Sequence, residues 1–221
     1  MQQPPLDTIV ASLVKPRHRE QKDLARAILE QVAQGKPVEK GALAAALHLR
    51  LEELEQRLVG LPDLEYDQQG RIVGWGVTLV PTRHRFRIQG QDLFTWCAFD
   101  TVLFPPQLRA EAQVQSTCPV TGRTIAFVAT PEGSIKNLSQ DACVLSLLIP
   151  TKPRHRGRAG FCEPSLFFWD EQVAASFLVA HPEAVLLSIE EAAYVGKRVA
   201  QLRASGVSAN TASQEKSKED V

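Results

Sequence analysis

Along the first sixty residues the apolar positions recur three and four apart, the spacing that gathers them on one face of a helix. Leu6–Val14 predicts a short helix that ends before Pro16. His18–Gln34 carries Leu24, Ile28 and Val32 at helical spacing and stops at Gly35. Val38–His48 is rich in Ala and Leu. Leu51, Leu54, Leu58 and Leu61 stripe a further helix that Pro62 stops. From Leu64 to Val73 the pattern changes to strand, turn and strand. Helices followed by a hairpin outline a winged-helix-like unit.

From Leu79 onward the pattern is mixed. Leu79–Ile88 reads as a strand and Gly90 as a turn. Leu93–Phe104 reads as an apolar helix ended by Pro105-Pro106. Ala112–Cys118 and Thr124–Thr130 are two strands joined by the turn Pro119-Val120-Thr121-Gly122, hence a hairpin. Cys143–Ile149 is almost wholly apolar and fits a buried strand. Ser165–Phe168 is a short strand, Asp170–Ala180 a helix and Ala184–Leu187 a strand. Ser188-Ile189-Glu190-Glu191 has the form of a capping box opening a last helix. The fold class is therefore α+β: an N-terminal helical, winged-helix-like part, then a mixed, largely antiparallel β-sheet core with flanking helices. The expected division is residues 1–80, 81–204, and a polar, disordered tail at 205–221.

Composition narrows the function classes. Hydrophobic residues make up 44% of the 221, enough for a sizeable core. Lys plus Arg equals Asp plus Glu, 25 each, so net charge gives no footprint of nucleic acid. The helix that would read DNA, Leu51–Leu61, sets Glu52, Glu53 and Glu55 against Arg50 and Arg57. Phosphates would repel it, and no nucleic-acid partner is expected. Apolar runs fall short of the roughly 18 residues a membrane helix needs. The first residues lack a basic start and an apolar stretch, so a cytoplasmic protein without a membrane partner is expected.

The chain has four cysteines, Cys97, Cys118, Cys143 and Cys162. They form no Cys-x-x-Cys pair and are expected to be free thiols. Taken singly, a free cysteine is usually packing. Cys97 and Asp100, in Trp96-Cys-Ala-Phe-Asp-Thr101, are different, because a helix would place them on one face. A soft nucleophile then sits beside a proton carrier, a pairing suited to a soft metal centre. A basic loop at 152–158 precedes Cys162. It reads either as a solvated surface or as cations acting on a nearby thiol. No histidine has metal-ligand spacing.

Several separated blocks resemble the bacterial organomercurial lyases (alkylmercury lyases). They are Gly70–Phe86, Leu93–Pro105 around Cys97 and Asp100, Ser116–Gly122 around Cys118, and Phe161-Cys162 followed by Leu166–Phe168. The resemblance runs in matching order from about the second helix to the last. It implies cleavage of the carbon–mercury bond by protonolysis, giving a hydrocarbon and Hg(II) in mercury detoxification. It implies catalytic and mercury-binding roles for Cys97, Asp100 and Cys162, and a structural role for Cys118. Glu163 departs from the family, where many members carry a second cysteine. Cys143 matches no family landmark and reads as core.

Chemistry fits that implication. Mercury's softness selects thiolates, and a proton delivered to carbon spares a free carbanion. Asp100 must hold a proton to donate one. Among Trp96, Phe99, Val102, Leu103 and Phe104 its pKa should rise above the roughly 3.9 of free Asp. No cofactor is expected beyond external thiols to remove Hg(II), with low-molecular-weight thiols and mercuric reductase as partners. The alternative is a thiol-based mercury or metal sensor with a winged helix.

Overall fold

The structure is a computed structural model and describes residues 4–14, 19–61, 63–149 and 158–205. The N-terminal helices fall where the apolar spacing places them: α1 (Leu6–Leu13), α2 (Arg19–Val32), α3 (Lys40–Ala46) and α4 (Leu51–Val59). Their stripes are buried, with Ile9, Leu24, Ile28, Val32, Leu43 and Leu54 almost fully out of solvent. On α4 the charges are engaged within the protein. Glu53 accepts from the Arg50 backbone N–H at 3.0 Å, Glu55 pairs with Lys40, and Arg57 pairs with Glu20. Pro16 and Pro62 lie outside the described residues.

The hairpin that follows is β1 (Glu65–Tyr66) against β2 (Ile72–Trp75). It is the edge of a larger sheet. The strands β3 (Val77–Thr78), β4 (His84–Ile88), β5 (Gln91–Thr95), β6 (Ala112–Thr117), β7 (Thr124–Ala129) and β8 (Ile135–Lys136) complete eight strands in the order β1-β2-β3-β5-β4-β6-β7-β8. Every pairing among the described strands is antiparallel. Alternation separates the two faces: in β4, His84, Phe86 and Ile88 are buried, while Arg85 and Arg87 face solvent. The strand expected over Leu79–Ile88 begins only at His84, because Leu79–Arg83 connects β3 to β4.

The main correction concerns Leu93–Phe104. Its first three residues belong to β5, which pairs with β3 and β4 on its two sides. The helix α5 runs from Asp100 to Leu108 and contains both prolines. A short apolar run does not by itself distinguish strand from helix; two waiting strands decide it. The helix is short, and one of the two hydrogen bonds that the prolines remove falls where another element packs. The Val102 carbonyl, which Pro106 cannot bond, faces Gly196 of α7 (Ile189–Ser205), where a Cβ would lie 2.7 Å from that oxygen. Helix α5 ends instead at Arg109, in the left-handed region.

A second, three-stranded sheet has the order β10-β9-β11: β10 (Phe167–Phe168), β9 (Val144–Leu148) and β11 (Ala184–Ser188). All five residues of β9 are buried, as its apolar run predicts, because both faces are covered. One face joins the main core. The other packs Val144 and Phe168 against Ala174 of α6 (Glu171–Ala180). Asp170 caps α6 through Val173 N–H at 2.8 Å. The capping box of α7 is present: Ser188 N–H donates to Glu191, and Glu191 N–H donates to the Ser188 hydroxyl. Helix α7 also packs on α1, where the Tyr194 hydroxyl reaches Asp7. One buried core thus extends from Ile9 to Ala200.

Candidate active site

Cys97 leaves the end of β5 in a bend, and Asp100 opens α5. The two are therefore adjacent across a strand-to-helix turn and do not share a helix face. Two bonds hold the bend from within: Thr95 Oγ1 donates to Cys97 O at 2.9 Å, and Thr101 Oγ1 donates to Ala98 O at 2.7 Å. Cys162 is the last residue of a π-helical turn, Arg158–Cys162, closed by Glu163 N–H donating to Arg158 O at 3.0 Å. Single π turns recur at functional sites.

Ser165 joins the two segments. Its carbonyl accepts from Ala98 N–H at 3.0 Å, and its hydroxyl accepts from Phe99 N–H at 3.2 Å. Ser165 N–H in turn donates to Cys162 O. The flanking residues are pinned by Ser146 of β9, whose hydroxyl donates to Pro164 O at 2.7 Å and accepts from Leu166 N–H at 3.1 Å. Phe161 meets Phe99 edge to face, with ring centroids 6.1 Å apart.

The outcome is a triad. One ligand atom from each of Cys97, Asp100 and Cys162 lies within 4.8 Å of the others, and all three residues are buried. No other group of three or more such ligands, and no histidine, meets that criterion among the described residues. A metal–thiolate bond is about 2.3 Å for zinc. Sulfurs less than about twice that bond plus a few tenths apart can share one soft ion between them.

Burial governs the electrostatics. It pushes the Asp100 carboxyl up to about 6; hydrogen bonding from Cys97 and the charge of Arg203 oppose the shift. Asp100 Oδ2 is buried without a hydrogen-bond partner, so half of the carboxylate lacks the solvation an anion needs. Burial also pushes the Cys97 thiol well above its ordinary value, helped by its bond to Cys162 and by the Asp100 charge. At rest Cys97 is a neutral thiol beside a carboxyl group able to take its proton.

The remaining sequence candidates lie apart from the triad. Cys118 sits in the hairpin turn; burial would raise its pKa, but hydrogen bonds from Thr121, Val120 and Trp169 outweigh it and hold the thiol below its ordinary value. Cys143 precedes β9, and burial pushes it to about 12. His84 is buried against Ser116, 2.8 Å from its hydroxyl, and burial drives it down to about 3. Of the basic loop, only Arg158 is among the described residues, and it pairs with Glu65. Sequence reasoning missed Ser165, Ser146 and Glu65. A serine or a glutamate, whether in a short strand as Ser146 and Glu65 are or outside one as Ser165 is, gives no local sign of a distant partner.

The comparisons agree with this architecture. A family model described as alkylmercury lyase matches residues 77–201, and one described as the helix-turn-helix domain of alkylmercury lyase matches residues 8–76. An alkylmercury lyase of Pseudomonas putida is 35% identical over 205 residues, covering 92% of this chain and 96% of that protein. One from Staphylococcus epidermidis is 35% identical over 176 residues, covering 80% and 81%. The solved structure of the mercury-bound form of MerB2 shares the fold, with a TM-score of 0.76 at 20% identity over 90% of this chain and 98% of that one. The chain belongs to the alkylmercury lyase family.

Proposed function

We propose that the protein cleaves the carbon–mercury bond of organomercurials by protonolysis, with Cys97, Cys162 and Asp100 as the catalytic and mercury-binding residues. The observation that carries this reading is the buried triad, in which two thiols and one carboxyl group converge within 4.8 Å. The substrate is written R–Hg–X, with X a thiolate. Sulfur of Cys97 displaces X from mercury. Cys162 adds as the second sulfur, which donates electron density and weakens the bond to carbon. Two thiol protons must be placed. One leaves with X as HX. The other passes through Asp100 to the carbon, so R departs as R–H and Hg(II) remains on two sulfurs.

The carboxyl suits both halves of that transfer. With a pKa of about 6 it is mostly ionised at neutral pH and can accept the Cys97 proton. It is then a much better acid than a thiol, with a pKa close to the working pH. Mercury supplies the driving force for the first step, because a metal-bound thiol is deprotonated outright.

External low-molecular-weight thiols would remove Hg(II), and mercuric reductase would receive it. On this reading no resident metal or organic cofactor takes part. The helical part, 1–80, acts as a structural module of a catalytic core at 81–204, and the protein works in the cytoplasm; of the tail expected at 205–221, Ser205 closes α7 and residues 206–221 lie outside the described residues. No described helix is long and apolar enough to cross a membrane. The test is methane release from methylmercury with excess thiol, measured by gas chromatography. Wild type should release one methane per mercurial consumed, while Cys97→Ser, Cys162→Ser and Asp100→Ala should release none. Stoichiometric mercury binding with no methane from wild type would make the protein a binder or sensor instead.

A further inference from the structure

Glu65 takes no part in that reaction, yet its carboxylate is bonded to both thiol-bearing segments. It lies in β1, in the N-terminal part of the chain, with a side chain only 14% exposed. Oε2 accepts from the indole N–H of Trp96 at 2.9 Å and from the Thr78 hydroxyl. Oε1 pairs with the guanidinium of Arg158, 93 residues away in sequence. Trp96 immediately precedes Cys97, and Arg158 opens the π turn that ends at Cys162.

Arg158 is held on further sides. Its backbone N–H donates to Asp63 Oδ2 at 3.0 Å, its guanidinium stacks 5.2 Å over the Trp96 ring, and its carbonyl closes the π turn. The sequence makes room for the carboxylate: a Cβ on Gly74 would collide with Glu65 Oε2 and with Thr78.

We propose that Glu65 is a positioning residue that, with Asp63 at the backbone of Arg158, fixes the separation of Cys97 and Cys162. The inference rests on the two-thiol reading above. Ligation of one ion by two sulfurs gains from their being held at the required distance, since a prepositioned second ligand acts at a high effective concentration. Losing the Glu65 pair loosens one end of the Cys162 turn, which Asp63 then restrains only at the Arg158 backbone, while Ser165 still holds the other. The second sulfur then spends less time in place. The helical part thus serves the chemistry by supplying Glu65.

The experiment compares full-length wild type, Glu65→Ala, Glu65→Gln, Glu65→Ala/Arg158→Ala and Cys162→Ser. Thermal melts establish folding. Methane release from methylmercury separates kcat from KM, and loss of Hg(II) from the loaded protein to dithiothreitol reports two-sulfur ligation without turnover. Glu65→Ala should lower kcat about tenfold with KM changed less than threefold, and speed Hg(II) loss about tenfold, towards the rate of Cys162→Ser. Adding Arg158→Ala should change neither further. Should Glu65→Ala fail to fold, Glu65→Gln decides by the same criteria, since its amide oxygen can keep the Trp96 and Thr78 bonds while the ion pair is lost. A folded variant with kcat and Hg(II) retention within twofold of wild type overturns the proposal. Methane from Cys162→Ser would instead sink the two-thiol reading, and this inference with it.

Discussion

Replacing Asp100 by Asn should shift stability in favour of the variant as pH rises. The folded protein holds the Asp100 proton with a pKa of about 6, against 3.8 for the free group. Between those values the folded state binds more protons than the unfolded chain, so stability falls as pH rises through the window. The loss is complete above the folded pKa. About two units at 1.36 kcal/mol each give roughly 3 kcal/mol, most of it developing between pH 4 and 8. In a chain of this size that corresponds to roughly 6–12 °C in Tm. Asn has no proton to lose and escapes the penalty. His84 titrates in the same region with the opposite sign: its folded pKa of about 3 lies below the free value of 6.5, so the fold loses stability as pH falls. Both proteins share that effect, and it cancels in the difference. The assay is urea unfolding of reduced, mercury-free wild type and Asp100→Asn from pH 4 to 8. A stability difference that stays constant across this range would refute the buried, proton-holding carboxyl, whatever its absolute value.

Further outcomes follow from individual contacts. Ser165→Ala should leave Phe99 N–H buried without its acceptor and cost about 1–3 kcal/mol, with turnover falling as the Cys97 bend loosens; denaturant melts and methane release check both. Gly196→Ala should cost about 1–3 kcal/mol, because the added methyl meets the α5 backbone, which cannot move aside as a side chain could; a melting temperature equal to wild type would count against this packing. Replacing His84 by Gln should remove most of the acid destabilisation between pH 6 and 4, seen as a flatter plot of stability against pH. Cys143→Ser should lose about 1–3 kcal/mol by burying a hydroxyl, yet keep methane release per folded molecule.

What the sequence determined by itself was chiefly local. Helices α1 to α4, the hairpin β6–β7, the buried run of β9 and the Ser188–Glu191 capping box were legible, because periodicity and end signals act within a few residues. The proximity of Cys97 and Asp100 was also set by adjacency along the chain. Cys162 was not placed beside them by any local pattern; the family resemblance supplied that, and only the tertiary structure brings its sulfur to the other two. The strand-to-helix switch at Cys97 likewise needed β3 and β4 on either side of β5. The upward shift of Asp100 was legible in direction from its apolar neighbours, but its extent depends on how much solvent the surrounding elements remove. The links between the thiol segments, Ser165 to Ala98 and Phe99, and Glu65 to Trp96 and Arg158, join residues 31 to 93 positions apart. Hydrogen bonds and ion pairs act only at contact, so bonds between segments this distant exist only once the fold has brought them together.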